Sequence, residues 1–145
     1  MNYEEAKRLM KTARDKDKGK PLDKANTRLY EVNDSAHLYP VYEIRLHGHP
    51  IIRMINTETS YVYELSSCGY HTVTTKQRLN HYTPFSVYQK NREWFLVLCG
   101  WNEKGQDVTD TYEFTDGMEI VEPRTNLCMY HVYVNRKPVE AVRND

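Results

Sequence analysis

Thr72, Thr74 and Thr75 fall within one four-residue span of the stretch HTVTTKQRLN (residues 71–80), and Lys76, Arg78 and Asn80 follow. Hydroxyls and cations at this spacing suit one chemistry, the holding of a phosphate or carboxylate. A helix beginning here would present unpaired N–H groups and the positive end of its dipole to such an anion. Lys, Gln, Arg and Asn on an exposed helix also grip nucleic-acid phosphates and read base edges. The same residues fit a ligand-free reading. In it Thr74 caps the helix, Thr72 pairs across a sheet, and Lys76 and Arg78 are solvated.

Either reading depends on the elements that carry these side chains. His71–Thr75 alternates and is rich in β-branched residues, which predicts an extended segment. Thr74 and Gln77 have capping-box spacing, so a short helix is expected near 75–82 and ends before Pro84. Thr75, Leu79 and Tyr82 would share its inward side. Lys76 with Asn80 and Gln77 with His81 would form two further rows.

Two Cys-x-x-His pairs, Cys68 with His71 and Cys128 with His131, offer four ligands of the kind that hold zinc tetrahedrally, although the pairs are far apart in sequence. His47 and His49 flank Gly48 and could ligate, but a turn there needs nothing of them. His37 has no evident partner. Glu43, Glu64, Asp110 and Glu113 are carboxylates that could pair in a metal-dependent hydrolase or nuclease. Cys128 or Thr72 beside a histidine is the nearest nucleophile arrangement. No Gly-x-Ser-x-Gly elbow, P-loop or His-Glu-x-x-His appears, and no cofactor is implied.

The bulk numbers narrow the classes. The chain has 145 residues, enough for one domain with a sizeable core. Charged residues make up 28% and cancel to a formal net of zero, unlike a strongly basic nucleic-acid coat. Twelve tyrosines suit half-buried strands and binding surfaces alike. Three cysteines, Cys68, Cys99 and Cys128, are too few for a disulfide framework. No apolar run approaches a membrane span. The start MNYEEAKRLMK lacks a signal-peptide core, so a reducing cytoplasm is the expected compartment. Charge is unevenly placed. Residues 1–26 carry eight basic and five acidic side chains, residues 69–93 four and one, and residues 103–123 seven acids against one lysine. Such patches steer partners. They also arise as ordinary solvated faces.

Along the chain, Asn2 and Glu5 have capping-box spacing. Tyr3, Ala6, Leu9, Met10 and Ala13 make a helical stripe over residues 2–14. RDKDKGKPLDK (14–24) has the composition of a mobile linker. PVYEIRLHGHP alternates, which predicts a strand with Tyr42, Ile44 and Leu46 on its apolar face. HPIIRMIN follows it across the His47–Pro50 corner, and SYVYELS makes a third strand. FSVYQKNREWFLVL reads as a hairpin turned at Lys90-Asn91, with Trp94, Leu96 and Leu98 inward. YEFTDGMEIV reads as a tight hairpin at Asp116-Gly117, and MYHVYVN as a last strand. The fold class is α+β: a mainly antiparallel sheet, an N-terminal amphipathic helix and a short helix near 75–82. Residues 1–26 would be helix and linker, and residues 27–145 a single β-rich domain.

Gly69, Tyr70, Thr72, Thr74, Thr75, Lys76, Arg78, Leu79 and Asn80 resemble a segment found in many small bacteriophage proteins. There the pattern is a glycine and an aromatic, usually Trp, then Thr-x-Thr-Thr-Lys-x-Arg, an aliphatic residue and Asn. YEIRLHGHPII is similar to that family's strand with a Leu-His pair near its end. Trp94 and FTDGMEI fit its downstream elements. The resemblance spans roughly residues 27–121 and departs at Cys68, where a small residue is usual, and at Tyr70. It implies phage origin and a shared fold, and brings no activity. The expectation is therefore a phage accessory protein that binds rather than catalyses. It would act in the host cytoplasm, away from membranes, on a nucleic acid, a nucleotide phosphate or a host protein. Thr72, Thr74, Thr75, Lys76, Arg78 and Asn80 would form its contact surface. The alternatives are a metal-dependent hydrolase or nuclease, and an inhibitor that uses the acidic segment 103–123 against a host defence protein.

Overall fold

Asn2 is extended, and its side chain accepts the Glu5 N–H at 2.9 Å, which starts helix α1 (Tyr3–Met10). The computed structural model describes residues 1–142. The α1 stripe puts Tyr3, Ala6 and Met10 into the main core, where Tyr3 meets Tyr42 edge-on at 5.0 Å. In the segment 14–24, the short strand β1 (Lys20–Pro21) pairs with β2 (Thr27–Val32). Lys18 and Gly19 carbonyls there accept from the Arg28 guanidinium.

β2, β3 (Val41–Leu46), β4 (His49–Asn56) and β5 (Ser60–Leu65) form an antiparallel meander. Helix α2 (Val73–Tyr82) follows, then β6 (Ser86–Lys90), β7 (Glu93–Trp101) and β8 (Asp107–Glu113). β9 (Met118–Pro123), β10 (His131–Val134) and β11 (Lys137–Pro138) complete the chain. The large sheet has the order β1-β2-β3-β4-β5-β9-β10-β11, and β6-β7-β8 form a smaller one. This is the expected α+β class. Among the described residues no helix is long and apolar enough to cross a membrane.

Period-two patterning builds the core. Tyr42, Ile44, Met54, Tyr63, Leu65 and Ile120 are buried together with Trp94, Leu96 and Leu98 of the smaller sheet. The other face of the large sheet carries an ionic row. Glu43 lies opposite Arg53, and Arg53 opposite Glu64. Glu43 accepts from Arg45 at 2.7 Å and from Arg53 at 3.0 Å, which lets its carboxylate sit almost buried.

Three expectations need correction. β6 and β7 turn at Asn91-Arg92, both with positive φ, one residue beyond Lys90-Asn91. YEFTDGMEIV is not a hairpin, because β8 pairs with β7 while β9 pairs with β5 and β10 in the other sheet. Its Asp116-Gly117 turn redirects the chain between sheets and is held there by tertiary contacts. The Asp116 carboxylate accepts from Ser67 N–H and Oγ, and Gly117 N–H donates to the Leu65 carbonyl at 2.8 Å. Finally, His71–Thr75 is not a strand. Cys68 and Gly69 adopt positive φ and end the extended path, and α2 begins at Val73.

Candidate functional site

The cap of α2 is Thr72, not Thr74. Thr72 is extended (φ −107°, ψ 160°), and its Oγ1 accepts the Thr75 N–H at 3.1 Å. Thr72 and Thr74 both have a residue three positions on that suits a cap, so spacing alone does not choose between them. Thr75, Leu79 and Tyr82 are buried as expected, and a start at Val73 keeps that stripe while adding half a turn. Thr83 is extended ahead of Pro84 and closes the helix, donating its hydroxyl to the Leu79 carbonyl at 2.7 Å.

The six polar residues of this segment divide into two groups. Thr72, Thr74 and Thr75 line a cavity of about 410 Å³ at the start of α2. The amides of Val73 and Thr74 have no hydrogen-bond partner among the described residues. Buried Leu46 and Ile51 give the cavity an apolar side, and buried Ser67 adds to its polar side. His47, His49 and Tyr70 complete the lining. The His49 and Tyr70 rings stand 5.0 Å apart, and Tyr70 is 53% exposed. His47 and Gly48 both take positive φ, and this two-residue turn between β3 and β4 puts the histidines at the cavity.

Lys76, Arg78 and Asn80 point elsewhere. Lys76 Nζ donates to Gln89 at 3.3 Å and lies 5.9 Å over the Trp94 ring. Arg78 donates to Thr27 Oγ1 at 3.1 Å and to the Ala25 carbonyl. Asn80 clasps β6 with both halves of its amide: Nδ2 donates to the Val87 carbonyl at 3.1 Å, and Oδ1 accepts the Val87 N–H. These three side chains tie α2 to its neighbours. A strip of cationic helix surface is therefore not what the segment presents.

Cationic groups reach the neighbourhood from the sheet instead. Arg28 and Arg45 are direct cross-strand partners on β2 and β3. With His47 and Tyr30 they line a cleft of about 270 Å³, which shares His47 with the larger cavity. Arg45 is paired with Glu43 and lies 4.0 Å over the Tyr30 ring. Arg28 donates only to carbonyl groups. Like charges directly opposed on a sheet cost stability, so a nearby anion would relieve the pair. In the sequence His47 and His49 stood out as a pair around Gly48, but Arg28 and Arg45 become neighbours only through strand register.

At the far end of α2, Tyr82 donates to Asp23 at 2.6 Å, and His81 Nε2 lies 2.8 Å from the same carboxylate. The Tyr82 bond first, and His81 second, hold the Asp23 carboxyl below its usual range. Burial, then the Asp23 bond, push the Tyr82 hydroxyl up to about 12. This cluster fastens residues 23–24 to the helix.

The four zinc candidates do not assemble. Cys68 Sγ faces the Pro50 carbonyl at 3.2 Å, and His71 packs edge-on against Trp94 at 4.8 Å. Cys128 lies beside Tyr130, and His131 is on β10 opposite Val121. No group of three or more His, Cys, Asp or Glu side chains is placed to hold a metal among the described residues. Of the four carboxylates, Glu43 and Glu64 both engage Arg53, whereas Asp110 and Glu113 belong to β8 in the other sheet.

Residues 5–121 match the family model described as Kyanoviridae Gp96 protein. The chain belongs to this family of phage proteins. The match takes in α1 from Glu5 onward, which lay outside the expected span of 27–121, and stops at Val121 within β9. The cavity and α2 thus fall inside the Gp96-family region. No curated protein matches the chain, and no solved structure does.

Proposed function

We propose that this phage protein is a non-enzymatic binding module of the host cytoplasm, and that its ligand is a small phosphate-bearing molecule of the nucleotide class. The reading rests on one observation. A cavity of about 410 Å³ opens onto the unpartnered Val73 and Thr74 amides, and the exposed Tyr70 ring stands on its border. The amides and the positive end of α2 would receive the phosphate, with Thr74 Oγ1 as a further donor. Tyr70 and His49 offer π-faces for a planar base. Arg28 and Arg45 would add a favourable field without direct contact. Lys76, Arg78 and Asn80 serve this reading indirectly, because they hold the helix in place.

Amide NMR with ATP, GTP and a short single-stranded DNA tests the reading. Val73 and Thr74 should shift in a saturable way, and inorganic phosphate should compete. Thr74→Val and Tyr70→Ala should each weaken binding about tenfold, which is about 1.4 kcal/mol, without lowering the unfolding midpoint. Lys76→Ala with Arg78→Ala should change affinity less than about threefold, because both side chains are turned to Gln89, Thr27 and Ala25 and not to the cavity, and their charges reach it only through screening solvent. No response at Val73 and Thr74 at millimolar ligand would refute the assignment.

A further inference from the structure

The smaller sheet has one face in the core and one in solvent. Trp94, Leu96 and Leu98 are buried, so period two turns Phe95, Val97, Cys99 and Trp101 outward along β7. β6 adds Tyr88, opposite Phe95, and the two rings stack at 5.4 Å with 24° between their planes. Tyr88 is 41% exposed and Trp101 46%. Among the described residues no helix or strand packs across this face: α2 meets β6, and its Lys76 lies over Trp94 on the sheet's buried side. Exposed Tyr88 and Trp101, joined by half-buried Phe95 and Val97 on one sheet face, mark an interaction surface.

Its charge identifies the occupant. β8 puts Glu113 directly opposite Phe95 and Asp107 directly opposite Trp101. Glu93 flanks the β6–β7 turn, where Lys90 is its cross-strand partner. None of Glu93, Asp107 and Glu113 forms an ion pair among the described residues. Each end of the face therefore combines an aromatic ring with an unpaired carboxylate. That combination receives an arginine or lysine, whose charge pairs with the acid while its flat or methylene portion covers the ring. The polyanionic backbone of a nucleic acid would meet the carboxylates instead, so bare aromatic exposure does not make this a base-stacking platform.

We propose that the outward face of β6, β7 and β8 docks a basic, extended polypeptide segment of a partner protein. Two cationic side chains of that segment would anchor it, one at Phe95–Glu113 and the other at Trp101–Asp107. The anchors are six residues apart on β7, about 20 Å along the strand. An extended ligand therefore places its anchors at positions i and i+6, which lie on one face of its own strand. This surface is separate from the α2 cavity, and either can fail without the other.

The test uses the full chain and a synthetic peptide, Arg-Thr-Val-Thr-Val-Thr-Arg, followed by fluorescence anisotropy and by quenching of Trp101. Binding is expected, with at least a tenfold loss when both arginines are replaced by glutamate. Asp107→Asn with Glu113→Gln should also lose at least tenfold, and so should Trp101→Ala. The first variant removes only exposed charge, so its fold is secure even if Trp101→Ala destabilises the hairpin. Raising salt should weaken the parent complex and leave the charge-neutral variant unaffected. Absence of binding to the peptide overturns the proposal, as does equal affinity in the charge-neutral variant. Tighter binding of single-stranded DNA, read by the same quenching, also overturns it. So does self-association in sedimentation velocity that disappears in the charge-neutral variant, because the occupant would then be the basic N-terminal region of a second copy.

Discussion

Asn80→Ala gives the most direct test of the roles assigned to the polar segment. If Asn80 is a clasp, its loss must appear in stability, whether or not a ligand is present. The side chain makes two hydrogen bonds to the Val87 backbone, on the edge of β6 away from β7. Each contributes a net of about 0.5–1.5 kcal/mol. The Val87 side chain is buried, but Asn80 itself is exposed, so water can reach the freed backbone groups and limit the desolvation cost. The expected loss is about 1–3 kcal/mol, or roughly 3–10 °C in the unfolding midpoint for a chain of this size. Urea unfolding should show a lower midpoint with an unchanged slope, since the surface exposed on unfolding stays the same. The Val87 amide should exchange faster with solvent than its neighbours on β7. Asn80→Asp keeps the acceptor and loses the donor, so it should fall between parent and Ala variant. An Asn80→Ala protein within about 0.5 kcal/mol of the parent would refute the clasp and return Asn80 to the exposed contact surface.

Gly100→Ala should destabilise by about 2–3 kcal/mol, because its Cβ would collide with the Cys128 carbonyl that accepts the Trp101 N–H at 3.2 Å; thermal unfolding that matches the parent would contradict this packing. The raised Tyr82 hydroxyl predicts an alkaline effect. Its folded value lies above its unfolded one, so its contribution is intact below pH 10 and is lost as pH rises towards 12. Tyr82→Phe should therefore lessen the decline of the urea midpoint across that window, and an unaltered decline would exclude Tyr82 as a source of it.

How the segment 71–80 divides shows what could be read in the sequence and what could not. Periodicity alone placed Thr75, Leu79 and Tyr82 on the inward side of a helix ending before Pro84, and the structure agrees. It also gave the start of α1 with its Asn2 cap, although the helix ends at Met10 and not at residue 14, and the β3–β4–β5 meander, because capping and period-two burial are local rules. The start of α2 was ambiguous between two threonines, and only the structure shows that the Thr72 hydroxyl is the one that takes a helix N–H, that of Thr75. The Asp116-Gly117 turn was visible, but its use was not. Whether the following strand pairs backwards or crosses to another sheet depends on Ser67 and Leu65, about fifty residues earlier in the chain.

For the site, the sequence determined the chemical inventory: threonine hydroxyls, a helix start, and histidines around a glycine turn. It did not determine which side chains were free to use it. Lys76, Arg78 and Asn80 find partners on Gln89, Thr27 and Val87, while His47, His49 and Tyr70 come to the cavity from other segments. Local backbone preference is set by neighbours in the chain, so sequence carries it. Whether a polar side chain is engaged or available is set by what folds against it, and only the tertiary structure holds that information.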